Sequence, residues 1–117
     1  MGAPVIQVGG EWDIRQSNGF RVHVNIHQEG PDDNQLHAFC THSGGSVRSK
    51  DARGSVVGED FSLTITWDNN TKGEYIGRLE PGFFTGANQG ILKGQSRDLD
   101  HPESTATWES ERVFFRL

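Results

Sequence analysis

At 117 residues the chain has room for one domain and one core. Only 32% of the residues are hydrophobic while 15 are glycine, which excludes a helical bundle and suits short strands joined by tight turns. The formal charge of −5, with no run of lysine and arginine, excludes the electrostatic footprint of a nucleic-acid binder. No apolar run approaches the ~18 residues of a membrane helix, so a membrane is not an expected partner. Cys40 is the single cysteine, and the fold is expected to stand on packing without an intrachain disulfide. The opening Met1-Gly2-Ala3-Pro4-Val5 lacks the charged and apolar regions of a signal peptide. The whole chain, 1–117, reads as one soluble domain.

A period of two runs through most of the sequence. The first strand is expected around Trp12-Asp13-Ile14-Arg15, and Asn18-Gly19 after it is a strong hairpin signal. Phe20, Val22, Val24 and Ile26 then alternate with Arg21, His23, Asn25 and His27, as in a half-buried strand. Gly30-Pro31-Asp32-Asp33-Asn34 turns the chain into Leu36, Ala38, Cys40 and His42, which alternate with His37, Phe39 and Thr41. The stretch from Ser43 to Gly58 is rich in glycine, serine and charge and reads as partly loop. Phe61, Leu63, Ile65 and Trp67 against Ser62, Thr64, Thr66 and Asp68 make the cleanest strand, and Asp68 to Gly73 turns it into Glu74 to Leu79. Two further strands are expected between Phe83 and Ser96. The last is expected from Thr105 to Leu117, after the loop Asp98-Leu99-Asp100-His101-Pro102. The tally is about eight strands, which predicts an all-β, antiparallel up-and-down barrel whose interior holds side chains or one small ligand.

The three tryptophans are the most informative side chains. Trp12 and Trp108 are expected to fill the barrel ends as core, each indole N–H finding a carbonyl. Trp67 ends an apolar face beside a polar loop, where it is either core or the aromatic wall of a ligand pocket. His23, His27 and His37 fall on polar faces, and pairing around Gly30-Pro31 would set His27 opposite His37. A third metal ligand is not evident there, and neither a metal nor a cofactor is expected. Cys40 and His42 should point inward with Leu36. At i and i+2 they stand ~7 Å apart along a strand, too far for direct proton transfer, so packing is the expected role. In the last strand Trp108, Ser110 and Arg112 share one face and Val113, Phe115 and Leu117 the other. If the Trp108 face is internal, Arg112 becomes a buried cation needing a carboxylate or a ligand anion. If the Val113 row faces out, it calls for a second copy, as dimer or tetramer.

Gly10-Glu11-Trp12 with Asn18-Gly19, Phe61-Ser62-Leu63-Thr64-Ile65-Thr66-Trp67, Gly73-Glu74-Tyr75-Ile76-Gly77 and Thr107-Trp108-Glu109-Ser110-Glu111-Arg112-Val113-Phe114-Phe115 follow one another along the chain. In order and spacing they resemble the avidin and streptavidin proteins, biotin-binding barrels. The resemblance implies that Trp67 stands for a tryptophan lining the biotin site and Asn18 for a serine bonding the ureido oxygen. It also implies departures. The family's binding tyrosine falls at Cys40, the serine after it at His42 and an asparagine at Ile14. The strand-seven tryptophan has no counterpart near Gly90-Ile91-Leu92, and no acid lies between Arg112 and Leu117.

The expected function is therefore binding of a small molecule, not strongly biotin, by Trp67, Asn18, Tyr75, Trp12, Cys40, His42 and Trp108. An alternative is a lectin-like carbohydrate binder using Trp67-Asp68-Asn69-Asn70 at a rim; Trp67 pointing into the barrel favours the first, and onto the rim the second. A cyclase or isomerase on a small barrel is a further alternative. No paired carboxylates, nucleophile elbow or metal signature points to catalysis, and no catalytic residue is assigned.

Overall fold

The computed structural model describes residues 6–28, 34–81 and 89–115. Its strands are β1 (Gly10–Gln16), β2 (Arg21–His27), β3 (Gln35–His42), β4 (Val47–Val57), β5 (Asp60–Trp67), β6 (Lys72–Pro81), β7 (Gln89–Asp98), β8 (His101–Ser110) and the short β9 (Phe114–Phe115). From β1 to β8 each strand pairs antiparallel with the next, and β8 returns to β1 through Ile14–Ser110 and Gln16–Trp108. The sheet is an all-β, closed, up-and-down barrel of eight strands, as the alternation predicts.

Register follows burial. On β2, Val22, Val24 and Ile26 are buried between exposed Arg21, His23, Asn25 and His27. On β5, Phe61, Leu63, Ile65 and Trp67 are all buried. Slipping either strand by one residue would exchange its two faces, so the core fixes the pairing.

Three stretches differ from the expectation, besides His101 and Pro102, which open β8 instead of belonging to the loop before it. Ser43 to Gly58 is mostly strand: after a 3-10 turn at Ser43–Gly45 it forms β4, 11 residues long. Its alternation is muted because the inward run Ala52, Gly54, Val56 has a glycine at its centre. A Cβ at Gly54 would lie 1.9 Å from Ser62 O, and one at Gly94 would lie 1.8 Å from Ile76 O. Neighbouring backbones occupy that space, and such glycines are where a sheet bends to close. Second, the described part of Phe83 to Ser96 belongs to one strand, β7, with 83–88 outside the described residues. The barrel has eight strands, as expected, and β4 is one of them.

Third, the final strand breaks. After Ser110 the chain turns, with Glu111 N–H donating to Asp13 O at 2.9 Å and Ser110 Oγ donating to Arg112 O at 2.7 Å. It resumes as β9, where Gly90 pairs with Phe114. The turn resets the alternation: Trp108, Ser110 and Phe114 are buried, and Phe115 is 60% exposed. Arg112 is consequently not a buried cation. It is exposed, donates to Gly9 O at 3.2 Å, and lies 5.2 Å from the Phe114 ring centroid. The Val113-Phe115 row is not a continuation of β8, and Leu117 lies outside the described residues.

A series of tilted and edge-on rings crosses the interior: Phe114 to Trp12 at 5.0 Å, Trp12 to Phe61 and Phe61 to Trp108 each at 5.8 Å, and Trp108 to Tyr75 at 6.1 Å. Ile6 and Val8, fully buried, complete the end bearing Phe114. Trp12 Nε1–H donates to Val8 O at 3.0 Å, and Val8 N–H donates to Gln28 Oε1 at 2.9 Å, so both of these buried donors of the sealed end are satisfied. The connections β1–β2, β3–β4, β5–β6 and β7–β8 all turn at the opposite end. Among the described residues, no helix is long and apolar enough to cross a membrane.

Candidate functional site

The end crowned by those hairpins is open. Alternation inward from Trp12 and Ile14 brings Gln16, the last residue of β1, to the interior beneath the Asn18-Gly19 turn. Gln16 N–H donates to Phe20 O at 2.9 Å and Gly19 N–H to Gln16 O at 3.0 Å, closing the hairpin. Asn18 Oδ1 accepts Phe20 N–H at 3.0 Å and Gln16 Nε2–H at 3.3 Å. Tyr75, buried on β6, donates its hydroxyl to Gln16 Oε1 at 2.5 Å. Burial, with Cys40 nearby, pushes the Tyr75 phenol well above its usual range, so it remains a neutral donor.

Above this floor stands an aromatic wall. His42, at the end of β3, lies 4.6 Å from Phe20 and 4.6 Å from Trp67, ring centroid to ring centroid, with the indole at 84° to the imidazole. Trp67 is 5% exposed and faces inward from β5. Burial lowers the His42 pKa, opposed by the nearby Asp68 carboxylate, and keeps the imidazole neutral at pH 7. Together these residues border a cavity of ≈ 340 Å³, with Asn69, Lys72, Ser96, Asp98 and Thr105 among the rest of its lining. That volume suits a single small molecule.

Four of the seven residues singled out from the sequence meet here: Asn18, His42, Trp67 and Tyr75. The other three do not line the cavity. Trp12 belongs to the sealed end. Trp108 lies inside the wall, donating from Nε1 to Gln95 O at 3.1 Å and Ile76 O at 3.2 Å. Cys40 is wholly buried in the core, where desolvation pushes its thiol pKa up to about 12. Ile14, where the avidin resemblance asks for asparagine, is wholly buried too.

Sequence reasoning passed over Gln16, Phe20, Lys72 and Ser96, and reached Asn69 only through the lectin-like alternative. Gln16 had a signal: it is a polar residue on the inward parity of β1, adjacent to a hairpin. Ser96 had none, because the bounds of β7 were not legible.

The outer wall carries its own polar groups. His23 Nδ1 is 2.6 Å from Asp13 Oδ1 and its Nε2 3.0 Å from Glu11 Oε1, and these two hydrogen bonds raise its pKa. His27 does face His37 across β2 and β3. Among the described residues no group of three His, Cys, Asp or Glu side chains is placed to hold a metal.

No family model matches the chain. No curated protein matches it in sequence. Among solved structures it is similar to a de novo designed fluorescence-activating β-barrel, with a TM-score of 0.49 and 14% identity over 93% of both chains. It is similar also to EF1p2_mFAP2b bound to DFHBI, with a TM-score of 0.49 and 13% identity over 94% of both chains. What the open end can hold follows from its own residues.

Proposed function

We infer that this barrel is a binding protein that holds one small, ring-bearing organic molecule in its open end. The observation that carries this reading is the ≈ 340 Å³ cavity walled by Trp67, His42 and Phe20 over the Tyr75–Gln16 floor. Flat apolar walls with a few oriented polar groups are what a small-molecule site needs. Trp67, inward and 5% exposed, favours this over a lectin-like rim, where a sugar would need the indole face in solvent. Nothing in the cavity favours a cyclase or isomerase.

The avidin resemblance supplies a barrel but not a biotin cage. Ile14 and Cys40, which stand where the family places polar ligand contacts, are buried off the cavity. Each ligand group left without its hydrogen bond costs about 1–3 kcal/mol, and ~1.4 kcal/mol is a decade of affinity. Biotin is therefore expected to bind weakly or not at all, and nanomolar affinity by calorimetry would refute the mapping.

The reading itself is tested by tryptophan fluorescence against a panel of small aromatic and heterocyclic compounds and sugars. Trp12 and Trp108 are buried away from the cavity, so a ligand-induced change should come from Trp67 and vanish in Trp67→Phe. A change that persists in Trp67→Phe would place binding elsewhere.

A further inference from the structure

Resting on that reading of the open end, we propose that its ligand carries a carboxylate, and that Asn18, Asn69 and Lys72 recognise it. Most acceptors of the cavity rim are already used, while several donors are not. Asn18 Oδ1 accepts Phe20 N–H at 3.0 Å. Asn69 Oδ1 accepts Thr71 N–H at 3.1 Å and Thr71 Oγ1–H at 2.7 Å. A backbone N–H can only donate, so the side-chain atom facing it is the amide oxygen; the orientation of both amides follows from the turns they sit in.

Both amide oxygens are thus consumed within the hairpins, while neither Nδ2 group makes a hydrogen bond among the described residues. Gln16 repeats the pattern. Its Oε1 is taken by Tyr75, and one of the two Nε2 hydrogens remains beyond the bond to Asn18. Lys72, on the same hairpin as Asn69, adds a cation that forms no ion pair among the described residues.

Against these donors the cavity sets one carboxylate, Asp98, whose Oδ1 already accepts Asp100 N–H at 2.9 Å. Arg97 is matched by Glu74 at 2.8 Å. Serine and threonine hydroxyls donate or accept as required. The balance left to a ligand is several N–H donors and the Lys72 ammonium, opposed by the charge of Asp98 alone, beside an aromatic wall. Its complement is a flat ring bearing an oxyanion, held by charge-assisted hydrogen bonds.

The test compares two isosteres, 1-naphthylacetate and 1-naphthylacetamide, by calorimetry on the full chain. The carboxylate should bind about tenfold tighter at low salt, and the preference should collapse in Lys72→Gln and shrink as salt is raised. Asn18→Asp and Asn69→Asp sharpen the test. Each keeps the oxygen that accepts its turn's N–H and replaces the free donor with negative charge, so the hairpins stand while carboxylate binding falls and amide binding holds. Equal binding of both probes, or a preference for the amide, overturns the carboxylate proposal and leaves the open end a ligand site. Binding of neither probe, with no response to the wider panel, overturns both.

Discussion

The two ends of this barrel are built from the same strands and end in opposite chemistry. β1 supplies Trp12 to one and Gln16 to the other, four residues apart on one inward face. At the sealed end Ile6, Val8, Trp12 and Phe114 are all but fully buried, with Trp12 Nε1–H donating to Val8 O and Val8 N–H to the Gln28 side chain. At the open end the buried groups are Gln16, Tyr75, Trp67 and Ser96, and Gln16 joins the Tyr75 hydroxyl to the Asn18 turn. Apolar area drives folding, whereas hydrogen bonds add little net stability once water is counted. The comparison therefore separates stability from recognition along the barrel axis. Substitutions at one end should be read in denaturation, at the other in binding.

The largest expected effect tests that separation directly. Trp12→Ala empties the centre of the seal and should cost ~3–5 kcal/mol in urea unfolding while leaving cavity affinity per folded molecule unchanged. A cost below ~1 kcal/mol would mean the seal is not where stability resides.

Tyr75→Phe comes next, because it reaches the one strong bond of the open floor. It leaves Gln16 Oε1 buried without its donor and should cost ~1–3 kcal/mol, most of which a second change, Gln16→Leu, should restore. If the double variant is no more stable than Tyr75→Phe, the Tyr75–Gln16 pair is not acting as a unit.

The smallest effects are titrations of opposite sign. His42 has its pKa lowered below 6.5 in the folded chain. On acidification the unfolded chain takes up that proton first, so stability falls from about pH 6.5 downward until the folded pKa is passed. His42→Gln should flatten that slope. His23 has its pKa raised above 6.5 by Asp13 and Glu11. Its contribution is complete below pH 6.5 and is lost as pH rises through the folded pKa, and His23→Gln should remove that decline. Because His23 is exposed, its slope should be shallow and weaken with salt. Urea midpoints across pH 4.5 to 8 separate the two, and a matching sign for both would contradict the placement of one of them.

Much of the wall was legible from the alternation alone, because β2 and β5 each bury one complete apolar face. β4 was not, since its inward set includes Gly54, which exists to admit a neighbouring backbone and leaves no hydrophobic mark. The break after Ser110 was hidden for a different reason: Ser110, Glu111 and Arg112 turn through hydrogen bonds to distant Asp13 and to one another, with no glycine or proline to announce it. At the open end the rings could be guessed from position, but the donor balance could not. It depends on which amide oxygens the turns consume, a fact of hydrogen-bond geometry and not of residue type.

The buried thiol of Cys40 gives the barrel an internal clock. Only a thiolate alkylates, and here desolvation suppresses it while the closed wall excludes the reagent. The rate of labelling by iodoacetamide therefore counts openings of the sheet around β3. If reclosing outpaces alkylation, that rate reports the free energy of opening, and any molecule that occupies the cavity slows it in proportion to its own saturation. A residue with no part in recognition can thus score, by mass alone, every candidate ligand offered to the open end of the molecule.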